Sequence, residues 1–351
     1  MHKQGASASA ALTAAAARTR LPAFLRIDPS SPTIVQKFER LSRDERERLR
    51  NAFTSDSPFS LLEATDEDNM DENRYRDILP YMGSQVKVHV VPGSKTLSSP
   101  YMNANKITAP ALFKTSLPPD WPGYIATQAP LPTTQAKFWH MVQEEGVDTI
   151  VCLTAVAEDR RFRAQKAERY WPLAGQTDEY EGGLSVKSLE TSDHASAEVA
   201  YRYYEISSKD SAPRKVLLVQ YQGWPDHGVP RTTNSLEEML YRIREWKKDS
   251  SRSTRPTPIV VHCSAGCGRT GTFCTIDTVL TVLEHTGYPH LKRNTVPQEQ
   301  QISTQPNAYN WQTEQDLIFD ATSSFRQERM LMIQTASQYQ FCYRVLQELC
   351  C

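Results

Sequence analysis

Ten consecutive residues, His262-Cys263-Ser264-Ala265-Gly266-Cys267-Gly268-Arg269-Thr270-Gly271, hold the densest set of chemically capable groups in the chain. Cys263 brings a thiol and Arg269 a planar guanidinium, with His262 and Thr270 beside them. A loop that runs into a helix N-terminus presents free backbone N–H groups and the positive end of the helix dipole. Gly266 and Gly268 let the backbone curl so that those donors converge. The product is a cradle for a tetrahedral oxyanion, lined by the peptide groups of Ser264, Ala265, Gly266, Cys267, Gly268 and Arg269. The same field favours the thiolate of Cys263 and lowers its pKa. Arg269 closes the ring with a fork that grips two oxygens. The bland alternative is a buried cysteine before a glycine-rich turn, and Cys-x5-Arg alone recurs by chance. The strand signal before it and the helix signal after it weigh against that alternative.

Those flanking elements are legible from periodicity. Ile259-Val260-Val261 reads as a buried strand, as do Ile150–Leu153 and Val216–Val219. After the loop, Phe273, Ile276, Val279, Leu280 and Leu283 form a helical stripe that Gly287 ends. Leu236, Met239, Leu240, Ile243 and Trp246 form another, opened by Asn234-x-x-Glu237. Near the N-terminus, Pro32 suits a first helical position, and Ile34, Val35, Phe38 and Leu41 follow at helical spacing. Ser42-Arg-Asp-Glu45 has the form of a capping box and predicts a new helix start there. Strands alternating with helices predict an α/β (α+β) fold: one domain with a twisted mixed central sheet flanked by helices.

Composition narrows the function. The chain has 351 residues, 40 Lys plus Arg against 41 Asp plus Glu, and a net charge of -1. No basic field steers it to nucleic acid. Mean hydropathy is -0.55 and no apolar run has membrane-spanning length, so a soluble chain without membrane insertion is expected. The seven cysteines form no C-x-x-C pair or zinc-type cluster, and no secretory signal opens the chain. Free thiols in a reducing compartment, no metal and no cofactor are the expectation. Residues 1–31 are rich in Ala and Ser with no acid before Asp28, and predict a disordered tail ahead of a domain at 32–351. Residues 288–314 are polar and predict a surface insertion.

The segment around Cys263 resembles the His-Cys-x5-Arg-Thr signature of protein tyrosine phosphatases, and the chain resembles the phosphotyrosine-specific, non-receptor, fungal-like class. Five further stretches carry the resemblance: Asn73-Arg74-Tyr75, Tyr124 to Pro130 with Phe138-Trp139, Lys166 to Pro172, Gly223 to Pro230, and Met332 to Tyr339. The resemblance implies that Cys263 attacks phosphorus to give a phosphocysteine, with Arg269 binding the phosphate. Asp226 would protonate the leaving phenolate and then serve as base for water. Gln334, helped by Gln338, would position that water, and Thr270 would hydrogen-bond the departing thiolate. His262 reads as a prop for the loop, and Lys166 matches a residue that meets the Asp226 loop. Tyr75 would stack on the substrate ring, with Ile78, His227, Ala265 and Cys267 completing a wall too deep for phosphoserine. Asp77 would hold the peptide backbone. Without the resemblance, Asp226 reads as a turn residue, Tyr75 as a core aromatic and both glutamines as helix-start polar residues.

Phosphotyrosine proteins are the implied partners of a monomer expected in the cytoplasm, with the nucleus as the alternative. Residues 18–25, basic then hydrophobic, resemble a docking peptide for a mitogen-activated protein kinase, and the Arg- and Ser-rich tail also has the look of a mitochondrial presequence. The acidic residue that braces Arg269 falls on Glu158 or Asp159. Cys267 offers a disulfide to an oxidised Cys263, in competition with a sulfenamide at the Ser264 nitrogen. Rival readings are a phosphotyrosine-binding pseudophosphatase, an inositide phosphatase and a dual-specificity enzyme. The absence of loop lysines opposes the second, and the Asn-Arg-Tyr segment the third.

Overall fold

The computed structural model describes residues 19–54, 56–156, 166–194, 198–209, 211–225, 228–248, 256–291, 311 and 315–350. Eight strands form one sheet: β1 (Ala104–Ile107), β2 (Tyr124–Thr127), β3 (Thr149–Cys152), β4 (Thr177–Tyr180), β5 (Leu184–His194), β6 (Val199–Ser208), β7 (Ser211–Tyr221) and β8 (Ile259–His262). Their order is β1-β2-β8-β3-β7-β6-β5-β4. Strands β2, β8, β3 and β7 run parallel, while β1 and the β7-β6-β5-β4 meander are antiparallel. The expected mixed sheet is therefore present, split into a parallel half and an antiparallel half.

Seven α-helices stand among the described residues: α1 (Pro32–Arg50), α2 (Glu67–Met70), α3 (Gln135–Glu144), α4 (Asn234–Lys248), α5 (Gly268–His285), α6 (Leu317–Glu328) and α7 (Ala336–Leu349). Helix α5 is buried along almost its whole length and lies against α6 and α7, and most of the polar residues it buries are small threonines. Its stripe packs with Leu236, Met239, Leu240 and Ile243 of α4 in one layer of the core. Phe138, Trp139, Met141 and Val142 of α3 pack on Ile150, Leu218 and Val260 in a second layer. Strand β8 is buried throughout, as its continuous apolar run requires. In register, His262 at its carboxyl end stands between Thr127 of β2 and Cys152 of β3. The loop that begins at Cys263 thus leaves the carboxyl edge of the parallel strands, where open α/β sheets bind ligands.

Two expectations are corrected. Helix α1 is unbroken from Pro32 to Arg50, so Ser42 to Glu45 is no cap. The Ser42 hydroxyl donates to the Phe38 carbonyl one turn back, and Glu45 is buried. The folded part starts before residue 32: Leu21, Phe24 and Leu25 are buried in the main core, and Gln347 of α7 donates to the Leu25 and Ile27 carbonyls. The hydrophobic half of the expected docking peptide, Leu21, Phe24 and Leu25, is thus interior. Of 288–314, residues 292–310 and 312–314 lie outside the described residues. Of the described part, Tyr288, Leu291 and Trp311 pack on the core, with the Tyr288 and Trp311 rings 5.2 Å apart, while Pro289 and His290 are exposed.

Candidate active site

Cys263 sits 5% exposed at the floor of a cleft of about 550 Å³. Burial alone pushes its thiol up. The Thr270 hydroxyl, the Arg269 charge and the N–H groups of Thr270 and Cys267 outweigh that and bring the pKa below the ordinary value. The buried Thr270 hydroxyl makes no hydrogen bond among the described residues, so it is available to the sulfur. Arg269 lines the same cleft and is aimed by a 3.0 Å bond from one Nη to the Leu153 carbonyl at the end of β3. The positive end of α5, which starts at Gly268, adds to the field on the sulfur.

His262 is completely buried, and burial lowers its pKa to about 4, so the ring is neutral. One nitrogen, Nδ1, lies 3.0 Å from the Cys263 carbonyl, which can only accept, so Nδ1 carries the proton. Nε2 then accepts from the Tyr170 hydroxyl at 2.7 Å. Both nitrogens are occupied, which fits a prop and excludes a free base.

The curl of the loop is held from behind by Arg329, which is fully buried. Its Nε donates to the Gly266 carbonyl at 2.8 Å, and one Nη to the Ala265 carbonyl at 2.9 Å. The same side chain bonds Asn103 and Asn105 of the β1 region at 2.8 and 2.7 Å. With these carbonyls drawn backwards, their peptide N–H partners turn towards the cleft. Gly266 has φ +72° and a Cβ there would lie 2.1 Å from the Thr127 carbonyl, so only glycine fits.

The wall rises from a loop fastened mainly by side chains. The Arg74 N–H donates to Gln128 at 2.8 Å, and Asn103 donates to the Ile78 carbonyl at 2.8 Å. Asn73 accepts from the Tyr101 hydroxyl at 2.6 Å. Tyr75 lies 2.7 Å, hydroxyl to hydroxyl, from Ser264, whose own proton goes to the Lys166 carbonyl. Tyr75, Asp77, Ile78, Lys166, Ser264 and Ala265 all line the cleft. Cys267 does not complete this wall. Its side chain is fully buried behind it among Ile78, Leu79, Tyr81 and Met330, and burial pushes the thiol up to about 12. That placement turns it from the cleft and also removes the ready thiolate a resolving partner needs.

On the opposite side Gln334 and Gln338 line the cleft. A Cβ on Gly268 would come within 2.6 Å of the Gln334 amide oxygen, so this glycine lets the glutamine lie over the loop. Gln338 has a second duty: its Oε1 accepts the Gln334 N–H at 2.9 Å and closes a capping box with Thr335 at the start of α7. Asp226 and His227 lie outside the described residues, as do Glu158 and Asp159. The segment that carries Asp226 is described on either side: Trp224 is buried against Tyr221 and Phe341, and Gly228 lines the cleft. Arg329, Asn103 and Asn105 escaped the sequence reading. Their partners are 63 to 226 positions distant, and an arginine or asparagine in isolation carries no signal of such contacts.

The family model described as protein-tyrosine phosphatase matches residues 69–348. Tyrosine-protein phosphatase 3 of Dictyostelium discoideum is 31% identical over 296 residues, covering 83% of this chain and 26% of that protein. Human tyrosine-protein phosphatase non-receptor type 18 is 31% identical over 300 residues, covering 86% of this chain and 55% of that protein. The chain therefore spans between about a quarter and about half of the length of these two relatives. The crystal structure of the human type 18 catalytic domain superposes with a TM-score of 0.68 at 26% identity, over 91% of this chain and 96% of that one. A structure of the same protein in complex with HER2 phosphopeptides gives 0.69 at 25% identity, over 92% and 95%.

Proposed function

The chain belongs to the protein-tyrosine phosphatase family, and on that premise we propose that it hydrolyses phosphotyrosine in proteins. The thiolate of Cys263 attacks phosphorus in line while the loop N–H groups and Arg269 hold the equatorial oxygens. The P–O bond to the ring breaks, and the phenolate takes its proton from Asp226. Water then attacks the phosphocysteine, Asp226 takes the water proton, and the thiolate leaves with Thr270 donating to it. Inorganic phosphate is the second product. Gln334 orients the water, and Gln338 holds Gln334 in place. Tyr75, Asp77 and Ile78 receive the phosphotyrosine, with Lys166 beside them in the cleft. No metal or cofactor enters these steps.

The observation that carries this reading is the pairing of a depressed Cys263 pKa with Arg269 at the floor of one cleft. The human relative crystallised with HER2 phosphopeptides supports phosphotyrosine proteins as the partner class. The folded unit that serves this activity, in the cytoplasm, takes Leu21, Phe24 and Leu25 into its core. A mitogen-activated kinase docked through residues 18–25 finds no support, because Leu21, Phe24 and Leu25 are interior.

The test is release of phosphate from matched phosphotyrosine and phosphoserine peptides. Fast release from the first alone is expected. Equal rates on both would move the protein to the dual-specificity class. Binding without turnover would make it a pseudophosphatase.

A further inference from the structure

Leu331 and Ile333 adopt left-handed backbone, with φ of 56° and 66°, just before Gln334. Side chains crowd the backbone in that region, β-branched ones most of all, so such conformations persist only where the surroundings impose them. Here the surroundings are a buried ion pair brought from two helices. Glu45 of α1 is 2% exposed, and Arg326 of α6 is 1% exposed. They meet at 3.2 Å. Glu45 accepts the N–H of Leu331 at 2.5 Å. Arg326 donates to the carbonyls of Met332 at 2.9 Å and Ile333 at 2.5 Å. One peptide group of each residue from 331 to 333 is thus bonded to the pair. The Ile333 carbonyl belongs to the peptide that carries the Gln334 nitrogen. The loop also touches the phosphate cradle directly, because the Ile333 N–H donates to the Cys267 carbonyl at 3.3 Å. Glu45 lies in a helix that precedes the segment matched by the family model.

We propose that Glu45 is a positioning residue for the hydrolytic half of the reaction. Its bond to Leu331 holds the left-handed shape of residues 331–333, and that shape aims Gln334 at the water that attacks the phosphocysteine. The inference rests on the phosphatase reading above. It assigns Glu45 no part in forming the phosphocysteine, since Arg329 holds the cradle carbonyls and the Leu153 carbonyl aims Arg269.

The experiment is steady-state and rapid-quench kinetics with a radiolabelled phosphotyrosine peptide, which reports turnover and the amount of acid-stable phosphoenzyme together. Wild-type protein that neither turns over nor labels would overturn the phosphatase reading and this one with it. In an active enzyme, Glu45→Ala should lower kcat and KM together by about tenfold, leave kcat/KM unchanged and accumulate phosphoenzyme. Adding Leu331→Gly to that variant should restore kcat, because glycine takes positive φ without help. Glu45→Gln keeps an acceptor for the Leu331 N–H but removes the counter-charge of Arg326. It should lower Tm while holding kcat within about twofold of wild type. A fall in kcat/KM without phosphoenzyme, or no rescue by the glycine, would overturn the proposal. Should Glu45→Ala fail to fold, Glu45→Gln decides alone: a normal kcat at lowered Tm supports the proposal, and accumulated phosphoenzyme refutes it.

Discussion

The floor of the cleft is made of backbone, and its wall is made of side chains. At the floor, Gly266 is the residue that fits beneath Thr127, Arg329 pins two carbonyls, and Cys263 lies at the end of a fully buried strand. On the wall, Tyr75 is half-buried, Asp77 is exposed, and side chains such as Gln128, Asn103 and Asn73 supply the fastenings. A backbone cradle cannot adjust without moving the strand and helix that carry it. It therefore presents one geometry to one kind of group, which suits the phosphoryl chemistry proposed for this cleft. A side-chain wall adjusts and contributes affinity, which suits the peptide binding proposed for it. Damage at the floor should cost rate, and damage on the wall should cost binding.

The sharpest break in that contrast comes from Cys263→Ser. It should lower kcat on the order of 10⁴-fold or more, with the thermal unfolding profile retained, since only the thiolate is nucleophilic enough. A variant with substantial turnover would refute the covalent route. Next is Arg329→Met, which touches no substrate. Releasing the Gly266 and Ala265 carbonyls should reduce kcat roughly 10- to 100-fold, because small misplacements of a reacting centre are costly. Stability should fall by about 2–4 kcal/mol as buried acceptors lose their partners. Kinetics and urea melts on the same preparation would show whether the rate loss outlasts refolding under stabilising conditions; full activity would mean that the cradle shapes itself.

A pH series separates the two regions again. His262 belongs to the floor, and burial lowers its pKa from 6.5 to about 4. As pH falls, the unfolded chain takes up this proton before the folded one does. The contribution of the neutral ring is therefore complete above pH 6.5 and lost progressively down to about pH 4, amounting to about 3 kcal/mol. Urea midpoints measured across that window should decline in wild type and decline less in His262→Asn. An identical slope in both proteins would place the acid sensitivity elsewhere. The smallest effect is expected on the wall. Tyr75→Ala should weaken phosphotyrosine-peptide binding to a Cys263→Ser trap by roughly 1–3 kcal/mol, the range for a lost aromatic contact. With an active enzyme, most of the change should appear in KM; a dominant loss in kcat would mean that the wall also shapes the floor.

Local patterns carried much of this protein. Apolar runs marked β3, β7 and β8, and the stripe ending at Gly287 marked α5, because a strand or helix imposes its own period on its neighbours in sequence. The cradle was legible for the same reason, since Cys263 to Arg269 is one short loop whose glycines and flanking elements are contiguous. Where local pattern misled, a distant partner decided. Ser42 to Glu45 had the form of a cap, yet the helix continues through it, because Glu45 is claimed by Leu331 and Arg326. Leu21, Phe24 and Leu25 looked like the apolar half of an exposed peptide, and the core under α7 takes them in. Cys267 sits in the cradle by sequence but faces away from it, towards Tyr81 and Met330. The sequence alone determined where the candidate nucleophile, the cradle and the helix stand, because they are neighbours along the chain. Tertiary structure alone decided how they are held, because Arg329, Asn103, Asn105 and Glu45 act across separations at which burial and unmet hydrogen bonds, and no local period, choose the partner.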